Sequence, residues 1–204
     1  MAVESETGRA RGPYGKSAGR RQQIIDSAIE IFAREGVDAG SYRSVAAVAG
    51  VSHAALRYYF PTREDLLIAV YQAYEHREAE GEWPGDGLSP VAAMREGAVR
   101  NRAVPGLVKL YAALVADAVQ EGHAASRAFI TRRFSAVRRQ IARRVSLAQA
   151  QGSYPGDLDA RDISSLIIAA SDGLQLQWLL DPDEVQVEEI LAVLDQALSA
   201  GGEP

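Results

Sequence analysis

Between Ser52 and Arg63 the chain reads SHAALRYYFPTR, a basic and aromatic stretch whose residue types suit the oxygens and base edges of a nucleic acid. Arg57 carries a planar fork of N–H donors that matches guanine O6 and N7. The same fork also suits a phosphate, or a salt bridge within the protein. His53 can donate to a base or a phosphate, or merely begin a helix in solvent, and Ala54 beside it shares the same face. Tyr58 can lie against sugar-phosphate or a thymine methyl. Arg63 follows Pro61 at the start of a helix, where unpaired backbone N–H groups and the positive dipole end favour a phosphate. Ser41 and Arg43 open an earlier helix and can meet the opposite phosphate strand. Arg20 and Arg21 can add sequence-blind attraction, or only solvate the terminus.

Other chemistries lack the spacing they need. The three histidines, His53, His76 and His123, show no metal-ligand spacing and no neighbouring nucleophile motif. There is no glycine-rich phosphate loop. Glu75, His76, Glu78 and Glu80 share a helix, but nothing identifies residues that would converge on them. The absence of cysteine excludes disulfides and thiolate metal sites. The sequence therefore names no catalytic residue, no metal ligand and no cofactor.

The residues around Ser52 need two short helices meeting at a sharp corner. Ala49-Gly50-Val51-Ser52 supplies it: Gly50 can take the positive φ of a tight turn, and Ala46 and Ala49 permit close crossing. Ser52 is a good N-cap for a helix of barely two turns that buries Leu56 and Phe60. With those two inward, His53, Ala54, Arg57 and Tyr58 face out. Ahead of this corner, Ile24, Ile25, Ala28, Ile29 and Phe32 predict a helix from about Ala18 to Gly36. Val45, Val48 and Ala49 belong to the second helix, which stops at Gly50. After the corner, Thr62 with Asp65 forms a capping-box-like start for a fourth helix, expected to run to about Glu82.

Trp83 to Gly87 predicts a loop. Ser89-Pro90 opens a helix to about Arg102, Pro105 one to about Glu121, and Ala124 a long one to Ala150. Tyr154-Pro155-Gly156 breaks the pattern. Asp159 caps an apolar helix to Leu180, and Asp181-Pro182 is expected to cap the last, to about Ala200. No strand pattern occurs. The expected fold is all-α with about nine helices: a mobile basic arm over 1–17, a three-helix helix-turn-helix domain over 18–64, and a larger helical domain over 65–204.

Composition agrees. With 47% apolar and 24% charged residues the 204-residue chain is globular. No apolar run approaches the roughly 18 residues of a membrane helix, and the N-terminus lacks a secretory core. The missing cysteines fit a reducing cytoplasm, and with no membrane-length apolar run no membrane partner is expected. Net charge is −5, but residues 1–63 hold nine Lys/Arg against six Asp/Glu, while the rest holds 13 against 21. A basic front end joined to an acidic body suits a polyanion at one end only.

Read in order, QQIIDSAIEIFAREGVDAGS followed by YRSVAAVAGVSHAALRYYFPTREDLL resembles the tetracycline-repressor (TetR) family of bacterial transcription regulators, whose corner reads A-G-V-S-x-G-x-L-Y-x-Y-F. Ala49 to Ser52, Leu56, Tyr59, Phe60 and Leu66 agree. Ser41 stands for the usual Thr and Arg63 for the usual Lys, which keeps the chemistry. Ala54 stands for the usual Gly and Arg57 for the usual Tyr, which bears on the DNA sequence read. The resemblance implies a phosphate contact from the Tyr59 hydroxyl, a homodimer on a double-stranded DNA operator, and a small-molecule effector of unstated identity held in the body.

Candidate pocket residues are Tyr74, Met94, Tyr111, Phe129, Phe134 and Trp178, each of which can equally be plain core. Six arginines between Arg132 and Arg144 suggest either an anionic ligand or, preferably, a solvated helix face. The helix to Leu180 is apolar around most of its circumference and so needs cover on two sides. Its Ile168, Ser171 and Gln175, with Ile190, Leu191, Leu194 and Leu198 of the last helix, are the expected dimer interface, as a four-helix bundle. The competing reading is an all-α small-molecule-binding or enzymatic dimer whose helix-turn-helix is only a structural corner.

Overall fold

The computed structural model describes residues 13–39, 41–80 and 87–200. Among them are nine helices and no strand: α1 (Pro13–Ala39), α2 (Tyr42–Val48), α3 (His53–Tyr59), α4 (Arg63–Glu80), α5 (Pro90–Arg102), α6 (Pro105–Ala118), α7 (Ala124–Ala150), α8 (Ala160–Leu180) and α9 (Val187–Ala200). The caps explain most boundaries. Ser41, Ser52 and Ser89 each accept a backbone N–H three residues on, and Asp159 accepts that of Arg161. Thr62 and Asp65 exchange bonds reciprocally, Thr62 N donating to Asp65 Oδ2 and Asp65 N to Thr62 Oγ1.

The helix ends shift by up to three residues at Ala39, Glu80 and Ala118, and two boundaries differ more from the sequence expectation. The first helix begins at Pro13, so residues 13–17 are helical rather than part of an arm; proline suits a first helical turn, where its missing N–H is no loss. Residues 1–12 of that arm lie outside the described residues, as does most of the Trp83–Gly87 loop. At the other end, Asp181 closes α8, its N–H donating to Gln177 O, instead of opening α9. A turn in which Val185 N bonds Asp181 O intervenes, and α9 starts where Val187 enters the core.

The apolar residues form two clusters. One joins α1 to α4 with Leu107, Leu110, Tyr111 and Leu114 of α6 and Phe129 and Ile130 of α7. The other joins α5, α7, α8 and α9 around Tyr154, whose hydroxyl donates to Asp195 Oδ1. Burial raises the Tyr154 phenol pKa, so the donor stays protonated. The first cluster runs past residue 64 into the body, because α4 continues as one helix through Leu66, Val70 and Tyr74.

Gly106 fixes how α6 meets α1. A Cβ built there would stand 1.8 Å from the Phe32 carbonyl oxygen, so only glycine permits this approach. Among the described residues, α8 alone is long and apolar enough to cross a membrane by length and composition. Its apolar residues divide between a buried face and an exposed one, as described below.

Candidate nucleic-acid interface and ligand cavity

Gly50 takes φ +61°, which turns the chain between α2 and α3, and Arg20 of α1 donates to the Gly50 carbonyl at 2.9 Å. Arg21 lies over the Phe60 ring, 5.0 Å from its centroid. Both arginines, expected either to attract phosphate or only to solvate the terminus, fasten the corner to α1. Leu56 and Phe60 are buried, while Ser52, His53, Ala54, Arg57 and Tyr58 are exposed. Tyr58 is 79% exposed and packs edge-on against Tyr59. Together with Arg57 it gives the outer side of α3 an exposed aromatic ring beside a guanidinium.

Arg57 makes no ion pair or hydrogen bond among the described residues, which leaves its fork available. His53 stands 5.7 Å, ring to ring, from Tyr42. The Tyr42 hydroxyl donates to Phe60 O at 2.7 Å, and burial followed by the Asp65 charge raises its pKa. It is therefore a fixed neutral donor that closes the end of α3. Ser41 and Arg43 at the start of α2, and Arg63 at the start of α4, are exposed; Tyr59 is partly buried against the first cluster.

The reading head is tied to the body through α4. Glu64 Oε1 accepts the Ser126 N–H at 2.7 Å, so the residue after Arg63 caps the first turn of α7. His123 Nδ1 lies 3.7 Å from the same oxygen. Three turns along, Glu75 Oε1 accepts from Arg133 Nε at 2.7 Å. At about 1.5 Å per residue, Arg63 and Glu75 are roughly 18 Å apart on one rigid helix.

That second tie forms the wall of a cavity of about 140 Å³ between α4, α5, α7 and α8. Arg133 Nη1 donates to the Tyr111 hydroxyl, which donates in turn to Asp172 Oδ2 at 2.9 Å. The guanidinium sits 4.4 Å from the Tyr111 centroid and 5.7 Å from that of Tyr71, and these two rings stack. Burial raises the Tyr71 and Tyr111 pKa values far above neutrality, which keeps both phenols protonated. Burial also raises the Asp172 carboxyl, against the opposing pull of Arg133 and the Tyr111 hydroxyl.

Of the six expected pocket residues, Tyr74 and Met94 line this cavity. Tyr111 lines a smaller adjoining void and closes the network. Phe129 packs edge-on behind Tyr71, Phe134 against the first cluster and Trp178 against the second, so none of these three reaches the cavity. The sequence reading missed Tyr71, Glu75, Arg100, Asn101, Arg133 and Asp172. One signal was available: Asp172 is the lone charge in α8 beyond its first turn. The preferred solvated-face reading of the α7 arginines fails at Arg133, which turns inward.

Ile168, Ser171, Gln175 and Leu191, expected at a dimer interface, are buried within their own chain. The first three line the cavity, and the amide of Asn101 holds Gln175 Oε1 at 2.6 Å. Leu194 and Leu198 are partly buried against the second cluster, while Ile190 is exposed. The open face of α8 is another stripe: Leu166, Ala169, Leu176 and Leu180, the last 86% exposed. It is matched on α9 by Ile190, Val193 and Ala197. Positions 166, 169, 173, 176 and 180 lie within about 80° of one another on a helix, so the exposed apolar residues form one patch.

Comparison with known proteins follows the same division. Residues 24–70 match the family described as bacterial regulatory proteins, tetR family, and residues 91–201 match the C-terminal region of BetI-type transcriptional repressors. The chain is 30% identical over 190 residues to the HTH-type transcriptional regulator BetI of Rhizobium meliloti, covering 89% of this chain and 88% of that protein. It is 28% identical over 198 residues to the HTH-type transcriptional regulator TtgR of Pseudomonas putida, covering 82% and 83%. A solved TetR-family regulator from Rhodococcus sp. superposes with a TM-score of 0.69 at 28% identity, over 91% of this chain and 100% of that one.

Proposed function

Because this chain belongs to the tetR family of bacterial regulatory proteins and is a helix-turn-helix DNA-binding transcriptional regulator, we propose that it acts as a homodimeric repressor released from a near-palindromic operator by a small molecule. The observation that carries this reading is the outward face of α3, where Arg57 and the 79%-exposed Tyr58 stand in solvent on a well-capped helix. In the proposed complex His53, Ala54, Arg57 and Tyr58 meet base edges in the major groove. Ser41, Arg43, Tyr59 and Arg63 meet phosphates on either side.

One two-turn helix is a small interface, so specificity requires two. The apolar stripes of α8 and α9 are the surface proposed to pair with a second copy, as a four-helix bundle. The reading helices would then lie about one DNA turn apart, roughly 34–36 Å, or slightly more. Such a protein works in the cytoplasm, where its operator is. Release follows from population shift: a ligand that fits the cavity better when α4 is displaced draws the protein away from DNA. The helix α4 can carry that change because Glu75 at the cavity and Arg63 at the DNA end share it.

A gel-shift with genomic fragments tests the reading. Specific retardation of a fragment containing an inverted repeat, abolished by competing unlabelled fragment but not by bulk DNA, is expected. If no fragment is bound specifically even at low salt, the proposal fails.

A further inference from the structure

The cavity is lined by two cations and two carboxylates, unevenly placed. Among the described residues Arg133 is the one cation within the aromatic cluster, and it faces two carboxylates, Glu75 and Asp172. The other lining cation, Arg100, stands on the rim near Glu96, at 4.0 Å. Arg133 is engaged with Glu75 Oε1 and the Tyr111 hydroxyl. Asp172 receives only the Tyr111 hydroxyl on Oδ2, and its Oδ1 has no hydrogen-bond partner among the described residues. Its second oxygen is open rather than buried, so this partly buried carboxylate can accept from a donor that carries a positive charge.

The rest of the lining restricts what that something is. Tyr71 and Tyr74 offer ring faces, to which cations are attracted, and Met94, Val137 and Ile168 provide an apolar wall. A volume of about 140 Å³ is close to the roughly 150 Å³ cavity known to take up benzene. An anionic ligand would face both carboxylates.

We infer that the cavity binds a small protonated amine with an apolar body about the size of a benzene ring, its N–H groups donating to Asp172. This rests on the reading of the protein as a ligand-released regulator and supplies the ligand class that reading leaves open. Its pH dependence follows from the site. A bound ammonium holds Asp172 ionised, so binding strengthens as pH rises through the elevated Asp172 pKa and weakens below it.

The test uses benzylamine, with benzyl alcohol and benzoate as neutral and anionic probes of the same shape, and isothermal titration of the full chain. Benzylamine binding that Asp172→Asn weakens roughly ten- to a hundredfold, with the fold followed by circular dichroism, supports the inference. In the unaltered chain, binding that strengthens between acid and neutral pH supports it without recourse to a variant. Benzoate or benzyl alcohol binding as tightly as benzylamine overturns it, as does benzylamine affinity that is flat with pH. Tetramethylammonium, a cation without N–H, binding as tightly as benzylamine overturns the assignment of Asp172 as acceptor. DNA binding is measured separately. Amine binding by a protein that retards no DNA keeps this inference and sinks the regulator reading; DNA binding without amine binding does the reverse.

Discussion

Replacing Gly106 with alanine tests how the reading head is fastened to the body. The added Cβ would lie 1.8 Å from Phe32 O and 2.8 Å from Ala33 O, both backbone atoms of α1. A carbon and a carbonyl oxygen rest at about 3.3–3.6 Å, so α6 must retreat from α1 by roughly 1.5 Å. No side-chain rotation relieves the clash. Overpacking of this kind costs about 3 kcal/mol, the upper end of the usual range, because both partners belong to regular helices. For a chain of this length each kcal/mol lowers Tm by about 2–4 °C, so the melting temperature should fall by roughly 6–12 °C. Gly97→Ala is the control. It makes the same change in α5, yet its nearest atom, Arg100 Nη2, is 3.9 Å away. Relief of the helix penalty of glycine should there raise stability by up to about 1 kcal/mol. Circular-dichroism melts of both variants at one fixed protomer concentration give the comparison, since an oligomer's Tm depends on concentration. The retreat of α6 should also weaken operator binding at temperatures where Gly106→Ala is still folded. Melting temperatures of the two variants within about 2 °C of each other would refute the packing argument.

Three further outcomes are expected. Arg57→Ala should lose about 1–3 kcal/mol of discrimination between the operator and a base-substituted site, whereas Arg63→Ala should weaken both sites alike and flatten the log–log salt slope by about 1. Fluorescence anisotropy on the two DNAs separates them, and equal loss of discrimination contradicts the roles. On the proposed homodimer, Leu176→Glu puts a charge into the α8 stripe, so sedimentation should find the variant shifted to single protomers; an unchanged assembly places the interface elsewhere. Asp172→Asn probes the raised carboxyl. A folded-state pKa above the unfolded value makes ionisation destabilising as pH rises from about 4 through the raised value. The variant should therefore melt above the parent at pH 7, and the gap should close below about pH 4. A gap that is wider at acid pH reverses the sign and rejects it.

The reading head was legible because its determinants are local. Gly50 is needed for a single φ of +61°, and Ser52 caps the helix that starts at the next residue. Leu56 and Phe60, one turn apart, decide which side of α3 is inward and so which residues are presented outward. Each of these contacts spans four residues or fewer, and the arrangement is constrained before any distant segment is placed. What the sequence did not indicate at the corner is long-range: Arg20 reaches Gly50 across 30 positions, and nothing near Arg20 says that it will.

The body was harder for two physical reasons. The six arginines of α7 look alike in sequence, and which one turns inward depends on helices that meet only on folding. Arg133 is singled out because Glu75 from α4 and Tyr111 from α6 arrive on its side. In α8 the difficulty is the lack of contrast. A helix apolar around most of its circumference has no polar side to mark solvent, so periodicity cannot separate its core face from its exposed face. Ile168, Ser171 and Gln175, expected on the outer face, form the inner one; Leu166, Leu176 and Leu180 form the other. Two apolar faces on one helix mean two environments that exclude water, one supplied by the subunit's own cavity wall. The other face, on both α8 and α9, lies on the side away from Ile168, Gln175 and Leu191, and it is the one proposed above to meet a second copy. A ligand pressing on the cavity face of α8 and a partner covering its other face would therefore act on the same helix, so ligand binding and subunit pairing should be thermodynamically linked.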